Sequence, residues 1–195
     1  YGLVGITLGN LDLKDNLSNY STDQAGADNN GRNLKATFNF NRLQKITNKT
    51  NILLKFNGQV AADNLDGGEQ LTLGGPNAVR AYASSEAAGD AGFTTGVELK
   101  RNFFNLPTTL FYDYGQIRLH KNKWTGWNST NTDLKNKYAL KGWGLSMDVP
   151  VFNLFTVQLS HSRTIKGNSG ADSDGLDVDG LSWDGRTFIT LSKQY

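Results

Sequence analysis

Hydrophobic and polar residues alternate along eight segments of this chain. In the third segment, for instance, Ile52, Leu54 and Phe56 fall on one side, whereas Lys55 and Asn57 fall on the other. Since successive side chains of a strand point to opposite faces, this period of two predicts strands with one apolar and one polar face. The segments are residues 2–13, 33–46, 52–60, 93–100, 110–115, 142–149 and 155–160, and a last one that ends at residue 195.

The links between these segments alternate between long and short. The polar links 14–32, 63–90, 122–136 and 166–180 are long, and the links 47–51, 102–107 and 150–154 are short. Long outside loops and short periplasmic turns are typical of bacterial outer-membrane barrels, whose apolar strand faces meet lipid. The sequence therefore predicts an all-β fold, a transmembrane antiparallel up-and-down β-barrel of eight strands. We expect one domain over residues 1–195, in the outer membrane of a Gram-negative bacterium.

Aromatic residues near the strand ends fit the same fold, because rings concentrate at both membrane interfaces. They are Phe103, Phe104, Phe152 and Phe155 near the short turns, and Trp124, Trp127 and Tyr138 near the long loops. Tyr195 ends the last strand and matches the terminal aromatic by which outer-membrane proteins are recognised for assembly. The alternative is a soluble barrel with its apolar faces inward. It explains the alternation but not the asymmetry of the links.

Composition excludes several functions. The 195 residues have a formal net charge of +2 with scattered basic residues, which argues against nucleic-acid binding. The chain has no cysteine, so neither disulfides nor thiolate metal sites can form. The acidic loop Asp172–Gly180 has Leu176 where a calcium loop needs an oxygen ligand, and it lacks the closing glutamate. With no catalytic constellation either, we expect no enzyme activity, no cofactor and no metal.

The link 63–90 contains the candidate site. Gly74-Gly75-Pro76-Asn77 predicts a tight bend, and Arg80 follows it between Val79 and Tyr82. An arginine between apolar neighbours is expected to insert into the barrel, where a buried guanidinium needs a carboxylate. Alternation places Glu98, Asp113 and Asp148 on the inner face. Asp148 lies beside a short turn, and Gly115 leaves room beside Asp113. We therefore predict that Arg80 pairs with Asp113, with Glu98 as the second candidate.

Two motifs resemble the two-partner secretion transporters, the outer-membrane TpsB proteins. The segment 74–82, followed by Glu86 and Gly89-Asp90, resembles their inward-folded sixth outside loop. Phe111-Tyr112-Asp113-Tyr114-Gly115 resembles the strand motif F-x-D-x-G, whose aspartate pairs with the loop arginine in that family. One departure is Ala81, where many members have glycine. The resemblance implies a transport motif loop formed by Gly74, Gly75, Pro76, Val79, Arg80 and Tyr82. It also implies an anchoring strand motif formed by Phe111, Asp113 and Gly115.

The same resemblance implies a larger protein. The family barrel has sixteen strands and is preceded by two POTRA domains and a plug helix. Five predicted strands follow the loop here, as in the family, but only three precede it, so the chain matches the C-terminal half of the barrel. Two interpretations are open: a truncated chain that closes into an eight-stranded barrel, which we predict, or a piece of a longer chain.

The implied function is export of one large β-helical exoprotein of haemolysin, adhesin or haem-scavenging type, without ATP. The partners would be this secreted TpsA-type protein, the barrel-assembly machinery, and outer-membrane lipid or lipopolysaccharide; we expect a monomer. Loop lysines that could meet lipopolysaccharide phosphates, or merely solubilise the loops, are Lys14, Lys121, Lys123, Lys135 and Lys137. Without POTRA domains this segment is expected to be inactive alone. The alternative function is a small structural or adhesive barrel that acts through its outside loops.

Overall fold

The computed structural model describes residues 1–103, 105–152 and 154–193. Ten strands and two short helices make up its regular structure. The strands are β1 (Gly2–Leu11), β2 (Gly31–Thr47), β3 (Thr50–Ala61), β4 (Leu71–Thr72), β5 (Ala88–Gly89), β6 (Ala91–Phe103), β7 (Leu106–Arg118), β8 (Lys137–Val151), β9 (Phe155–Thr164) and β10 (Gly185–Lys193). The helices are α1 (Leu17–Ala25) and a 3-10 turn at Gly67–Glu69.

Eight long strands form one antiparallel sheet in the order β1-β2-β3-β6-β7-β8-β9-β10. Each long strand therefore pairs with its neighbour along the chain, which is the predicted up-and-down order. The two-residue strands β4 and β5 pair only with each other, inside the long link between β3 and β6. Long and short links alternate as the sequence predicts.

The two faces of the sheet differ in the way the alternation predicts. Apolar side chains on one face are exposed, for example Val97 at 45% and Trp143 at 50%. Polar side chains on the other face are buried, for example Glu98 at 2% and Asp113 at 3% exposure. We call these the outer and the inner face. A soluble barrel has the opposite arrangement, with apolar side chains inside.

The predicted closure of the barrel is wrong. In the described part of the chain, β1 and β10 lie at the two edges of the sheet and do not pair with each other. Eight strands enclose an interior just wide enough for side chains. Here the inner face also holds the link 62–90, whose Leu73, Val79 and Tyr82 are fully buried. Because that segment fills the space, eight strands cannot wrap around it and meet.

Two details of the long links also differ from the expectation. The long polar link between β1 and β2, from which we expect a loop, contains α1. This helix begins after Asn16, whose side chain accepts a hydrogen bond from the Asn19 N–H at 3.1 Å. None of the helices in the described segments is long and apolar enough to cross a membrane. Tyr138, expected at a membrane interface, instead lies on the inner face and is 9% exposed.

Candidate functional site

The link 62–90, which we call the inserted loop, is folded against the inner face. Its two arms are joined by β4 and β5, and the Leu73 and Gly74 N–H groups both donate to the Glu86 carbonyl at 3.0 Å. At its base the Asp90 side chain, which is fully buried, accepts from the N–H groups of Leu65 at 3.0 Å and Lys121 at 2.7 Å. The loop is therefore a closed structure with a fixed base.

Apolar packing holds the middle of the inserted loop in place. Leu73, Val79 and Tyr82 are fully buried and form the core together with residues of β7, β8 and the adjoining link. The other members of this cluster are Ala81, Ala87, Ile117, Leu119, Tyr138 and Leu140. A Cβ at Gly115 would lie 3.0 Å from Leu73 Cδ2 and from Val79 Cγ2, so the loop packs closely over this glycine. The core of the molecule is thus the loop–sheet contact.

Arg80 lies beneath this apolar layer and forms the predicted ion pair with Asp113. Its Nε donates to Asp113 Oδ2 at 2.8 Å and its Nη2 donates to Oδ1 at 2.7 Å. The Arg80 backbone N–H donates to the same Oδ2 at 3.2 Å. Two parallel N–H···O bonds are the strongest way in which an arginine binds a carboxylate. Since Arg80 and Asp113 are 8% and 3% exposed, the pair is shielded from water.

Glu98, the second candidate, contacts the same guanidinium. Arg80 Nη1 lies 3.0 Å from Glu98 Oε1, and two lysines on the inner face, Lys55 and Lys100, lie 2.5 and 3.2 Å from the carboxylate. The expectation of one acid for Arg80 was therefore incomplete, because the guanidinium has enough donors for both. Three cations and two carboxylates form one cluster, and Glu98 keeps two cationic partners if Arg80 is removed.

An aromatic ring and a hydroxyl complete the Arg80 site. The guanidinium carbon lies 3.4 Å from the centre of the Phe111 ring, close enough for a cation–π interaction. The ring lies over Gly144, where a Cβ would come within 2.6 Å of Phe111 Cζ. The Ser162 hydroxyl donates to the Arg80 carbonyl at 2.6 Å. Every polar part of Arg80 thus has a partner on β6, β7 or β9.

Tyr82 joins the inserted loop to the link between β9 and β10. Its hydroxyl donates to the Gly167 carbonyl at 2.7 Å and lies 3.2 Å from the Lys141 carbonyl. Burial raises the pKa of Tyr82 to about 12, so the hydroxyl stays protonated and remains a donor at neutral pH. The Tyr82 ring therefore connects three parts of the molecule with a single side chain.

The link 165–184, which we call the last loop, lies against the inserted loop. The Val178 N–H donates to Glu86 Oε2 at 2.8 Å, and burial raises the pKa of Glu86 above its ordinary value. Arg186 of β10 holds the same link through Asp177 Oδ2 at 2.6 Å and Asp179 Oδ1 at 3.0 Å. An acidic, glycine-rich link of this kind is typical of a solvated loop, but Arg186 and Asp177 are both buried.

The remaining predicted residues lie at the tip of the inserted loop, on β8 or outside the described residues. A Cβ on Gly74 would come within 2.6 Å of Glu86 Cβ, and Gly75 has φ +117°, so both positions require glycine. Pro76 is exposed at the tip. Asp148 has no contact with Arg80; it accepts from Gln158 at 2.8 Å. Tyr195 lies outside the described residues.

Sequence reasoning missed Ser162, which looks like an ordinary polar residue of a strand. It named Glu86 and Asp90 only as part of the family motif, without the contacts that they make. Gly142 and Gly144, both on the inner face of β8, carried a usable signal, because glycine inside a strand often marks the close approach of another segment. In the structure Gly142 faces Ala81 of the inserted loop.

The sequence-family model of the haemolysin secretion/activation proteins ShlB, FhaC and HecB matches residues 8–147. That range includes both the inserted loop and the strand that holds Asp113. The chain belongs to this family. The ShlB/FhaC/HecB family assignment confirms what the two motifs predicted.

Two relatives of this ShlB/FhaC/HecB chain are transporters by name. The heme/hemopexin transporter protein HuxB of Haemophilus influenzae strain 86-028NP is 27% identical over 117 residues, which cover 57% of this chain and 20% of the relative. HuxB of the strain ATCC 51907 is 26% identical over the same length. The chain thus spans a fifth of these relatives. No solved structure matches it significantly.

Proposed function

We propose that this chain is the C-terminal barrel part of an outer-membrane transporter of two-partner secretion. The observation that supports this best is the buried contact of Arg80 with Asp113 and Glu98, which holds the inserted loop on the inner face. A loop inside a conduit must be held in a defined place, because an unfolded exoprotein has to pass beside it. The ion pair provides that position, since removing either partner leaves an uncompensated buried charge.

The outer face supports the membrane part of this proposal. In the hairpin of β6 and β7, the outward cations are Arg118 near the long loop and Arg101, opposite Thr108, near the short turn. At about 3.3 Å per residue, the stretch from Thr108 to Arg118 extends roughly 33 Å along the strand, or about 25 Å across a membrane at a tilt of about 40°. That height fits an apolar band in contact with lipid on this hairpin. On β8 and β9 the outward cations Lys141 and Arg163 end the band lower, level with Tyr114 and Tyr112 of β7.

The open edges of the sheet fit a larger barrel. β1 and β10 leave the backbone groups of two edge strands without sheet partners in the described chain, and such edges normally pair or are covered. In our proposal residues 1–195 form one unit of a barrel that has further strands. The barrel-assembly machinery inserts this barrel into the outer membrane, where it acts as a monomer. The name of HuxB favours a haem-scavenging exoprotein as the cargo. Export needs no ATP, because folding of the cargo outside supplies the driving force.

The test is secretion by the full-length transporter with Arg80→Ala. We expect the exoprotein to disappear from the medium while the amount of transporter in the outer membrane stays the same. The matched control is Arg42→Ala, because Arg42 lies on the outer face and, among the described residues, donates only to Gln44, at 3.2 Å. Secretion at the parent level by the Arg80→Ala variant would contradict the proposal and favour the adhesive barrel.

A further inference from the structure

A groove of about 480 Å³ runs along the outer face between β8 and β9. The residues that line it change from charged to apolar along the strands, as the cross-strand pairs show. Trp143 lies opposite Arg163 at the end near the long loops, and Met147 lies opposite Leu159 farther down. The atoms that line the groove are mostly apolar, and one end of the groove carries a cation.

Two cations lie at that end. Lys141 precedes Trp143 by two positions on the same face of β8, and Arg163 faces Trp143 across the strand pair. Diagonal neighbours of this kind have side chains about 7–8 Å apart at their bases, which lets two long cationic side chains converge on one anion. Neither side chain has an acidic partner among the described residues.

Cations on the inner face do have acidic partners, so the absence of such partners for Lys141 and Arg163 is a feature of the outer face. Three acids occur in the strands that the structure describes, Glu98, Asp113 and Asp148, and all of them belong to the inner face. Inward cations such as Lys55 and Arg186 accordingly have carboxylate partners within 2.5 to 2.6 Å. On the outer face an anion for Lys141 and Arg163 must come from another molecule.

We propose that this groove binds a phosphorylated acyl glycolipid of the outer leaflet. Its phosphate would lie between Lys141 and Arg163, and an acyl chain would lie along Leu145, Met147 and Leu159. The inference rests on the proposed function for placing this face in lipid. Charge complementarity favours this lipid over a neutral one, because the outer face offers two cations and no acid next to an apolar groove.

The test is binding of lipid A, a phosphorylated acyl disaccharide, to the full-length transporter in detergent, measured by native mass spectrometry. Lys141→Gln with Arg163→Gln should weaken binding about thirtyfold, since each cation near an anionic lipid surface contributes about 1 kcal/mol. Dephosphorylated lipid A should bind the parent and the double variant equally and weakly. Inorganic phosphate in excess should not displace lipid A, because the acyl chain supplies part of the affinity.

Matched variants make the test decisive. Arg42→Gln with Arg101→Gln removes the same charge from the opposite end of the outer face and should change the affinity less than twofold. Arg163→Lys keeps the charge and should stay within about threefold of the parent, whether or not the double variant is less stable. Equal binding of lipid A by the parent and the double variant would overturn the inference. So would displacement by phosphate alone, or an equal loss in the control variant.

Lipid binding and export are separate measurements. A transporter that exports normally but does not distinguish lipid A from its dephosphorylated form would overturn this inference and leave the proposed function intact. A transporter that binds lipid A through Lys141 and Arg163 but exports nothing would overturn the proposed function alone.

Discussion

Arg80 and Arg186 each pair with two carboxylates, but loop and strand exchange roles between the two sites. Arg80 belongs to the inserted loop and its acids belong to β6 and β7, whereas Arg186 belongs to β10 and its acids, Asp177 and Asp179, belong to the last loop. Arg80 and Asp113 are separated by 33 positions, and Arg186 and Asp177 by 9. The first site therefore joins remote parts of the chain, and the second closes a local loop.

Both pairs are buried, so sequence separation and the surrounding contacts decide how much each pair contributes. A local pair fixes a segment whose ends the strands already hold together, so losing it frees little chain. Arg80 is also enclosed by Phe111 and Ser162, and its loss leaves Asp113 buried without a cation. We therefore expect the two sites to differ in stability, in loop exposure and in their effect on transport.

The largest effect is expected for Arg80→Ala. Removing one member of a buried ion pair costs about 3–5 kcal/mol, because the other charge stays buried without its partner. Denaturant unfolding of the protein in detergent measures this loss. The inserted loop should also become sensitive to protease, since its central anchor is gone.

Two further variants show whether the ion pair is responsible. Arg80→Lys should recover only part of the stability, because an ammonium group cannot make the two parallel bonds to Asp113. Arg80→Ala combined with Asp113→Ala should cost less than the sum of the single changes. If the losses simply add, the two residues do not act as a pair.

The next effect is expected for Gly142→Ala. The added Cβ would collide with Ala81 of the inserted loop, and overpacking of this kind costs about 1–3 kcal/mol. The matched control is Gly67→Ala, where a Cβ meets nothing within 4 Å. Denaturant unfolding should show a loss for the first variant and almost none for the second. Equal stability of both variants would mean that the loop does not pack against β8.

A smaller effect is expected for Arg186→Ala, about 1.5 kcal/mol, the low end of the range of hydrogen bonds to charged groups. Asp179 is partly exposed and Asp177 keeps a hydrogen bond from Asn168 at 2.8 Å, so the loss of stability is smaller. Limited proteolysis should cut the last loop faster while the inserted loop stays protected. Simultaneous cleavage of both loops would erase the proposed difference between the two arginines.

The smallest effect concerns pH and Glu86. Burial raises its pKa above 4.5, so above pH 4.5 the unfolded chain loses this proton before the folded chain does. Stability should therefore decrease as pH rises from about 4.5 through the raised pKa. Glu86→Gln should remove this slope and can keep the bond from the Val178 N–H. Unfolding free energies measured against pH test this, with Glu69→Gln as the surface control; an unchanged slope in Glu86→Gln would contradict it.

The sequence predicted the strands and the Arg80 site for different reasons. Alternation is a local property, so the strands and the outer and inner faces followed from residues such as Val97 and Glu98 alone. The ion pair of Arg80 with Asp113 was predictable because a buried arginine needs a carboxylate and alternation left few on the inner face. Closure of the sheet did not follow from alternation, because the alternation of a strand does not show whether the first and last strands pair with each other.

Contacts between loops were also beyond the sequence. Glu86 and Arg186 lie in polar surroundings that look solvated in the sequence, and only the packing of the last loop buries them. Lys141 and Arg163 could be assigned to the outer face by alternation. Their convergence on one groove, however, depends on the register of β8 and β9.

In the proposed function Arg80 and Asp113 act as one unit that export requires. The most direct measurement is a double-mutant cycle on secretion by the full-length transporter, with Arg80→Ala, Asp113→Ala and both together at equal amounts in the membrane. We expect each single variant to lose nearly all export and the double variant to be no worse than either. Export by a single variant at the parent level, or single losses that multiply in the double variant, would contradict it.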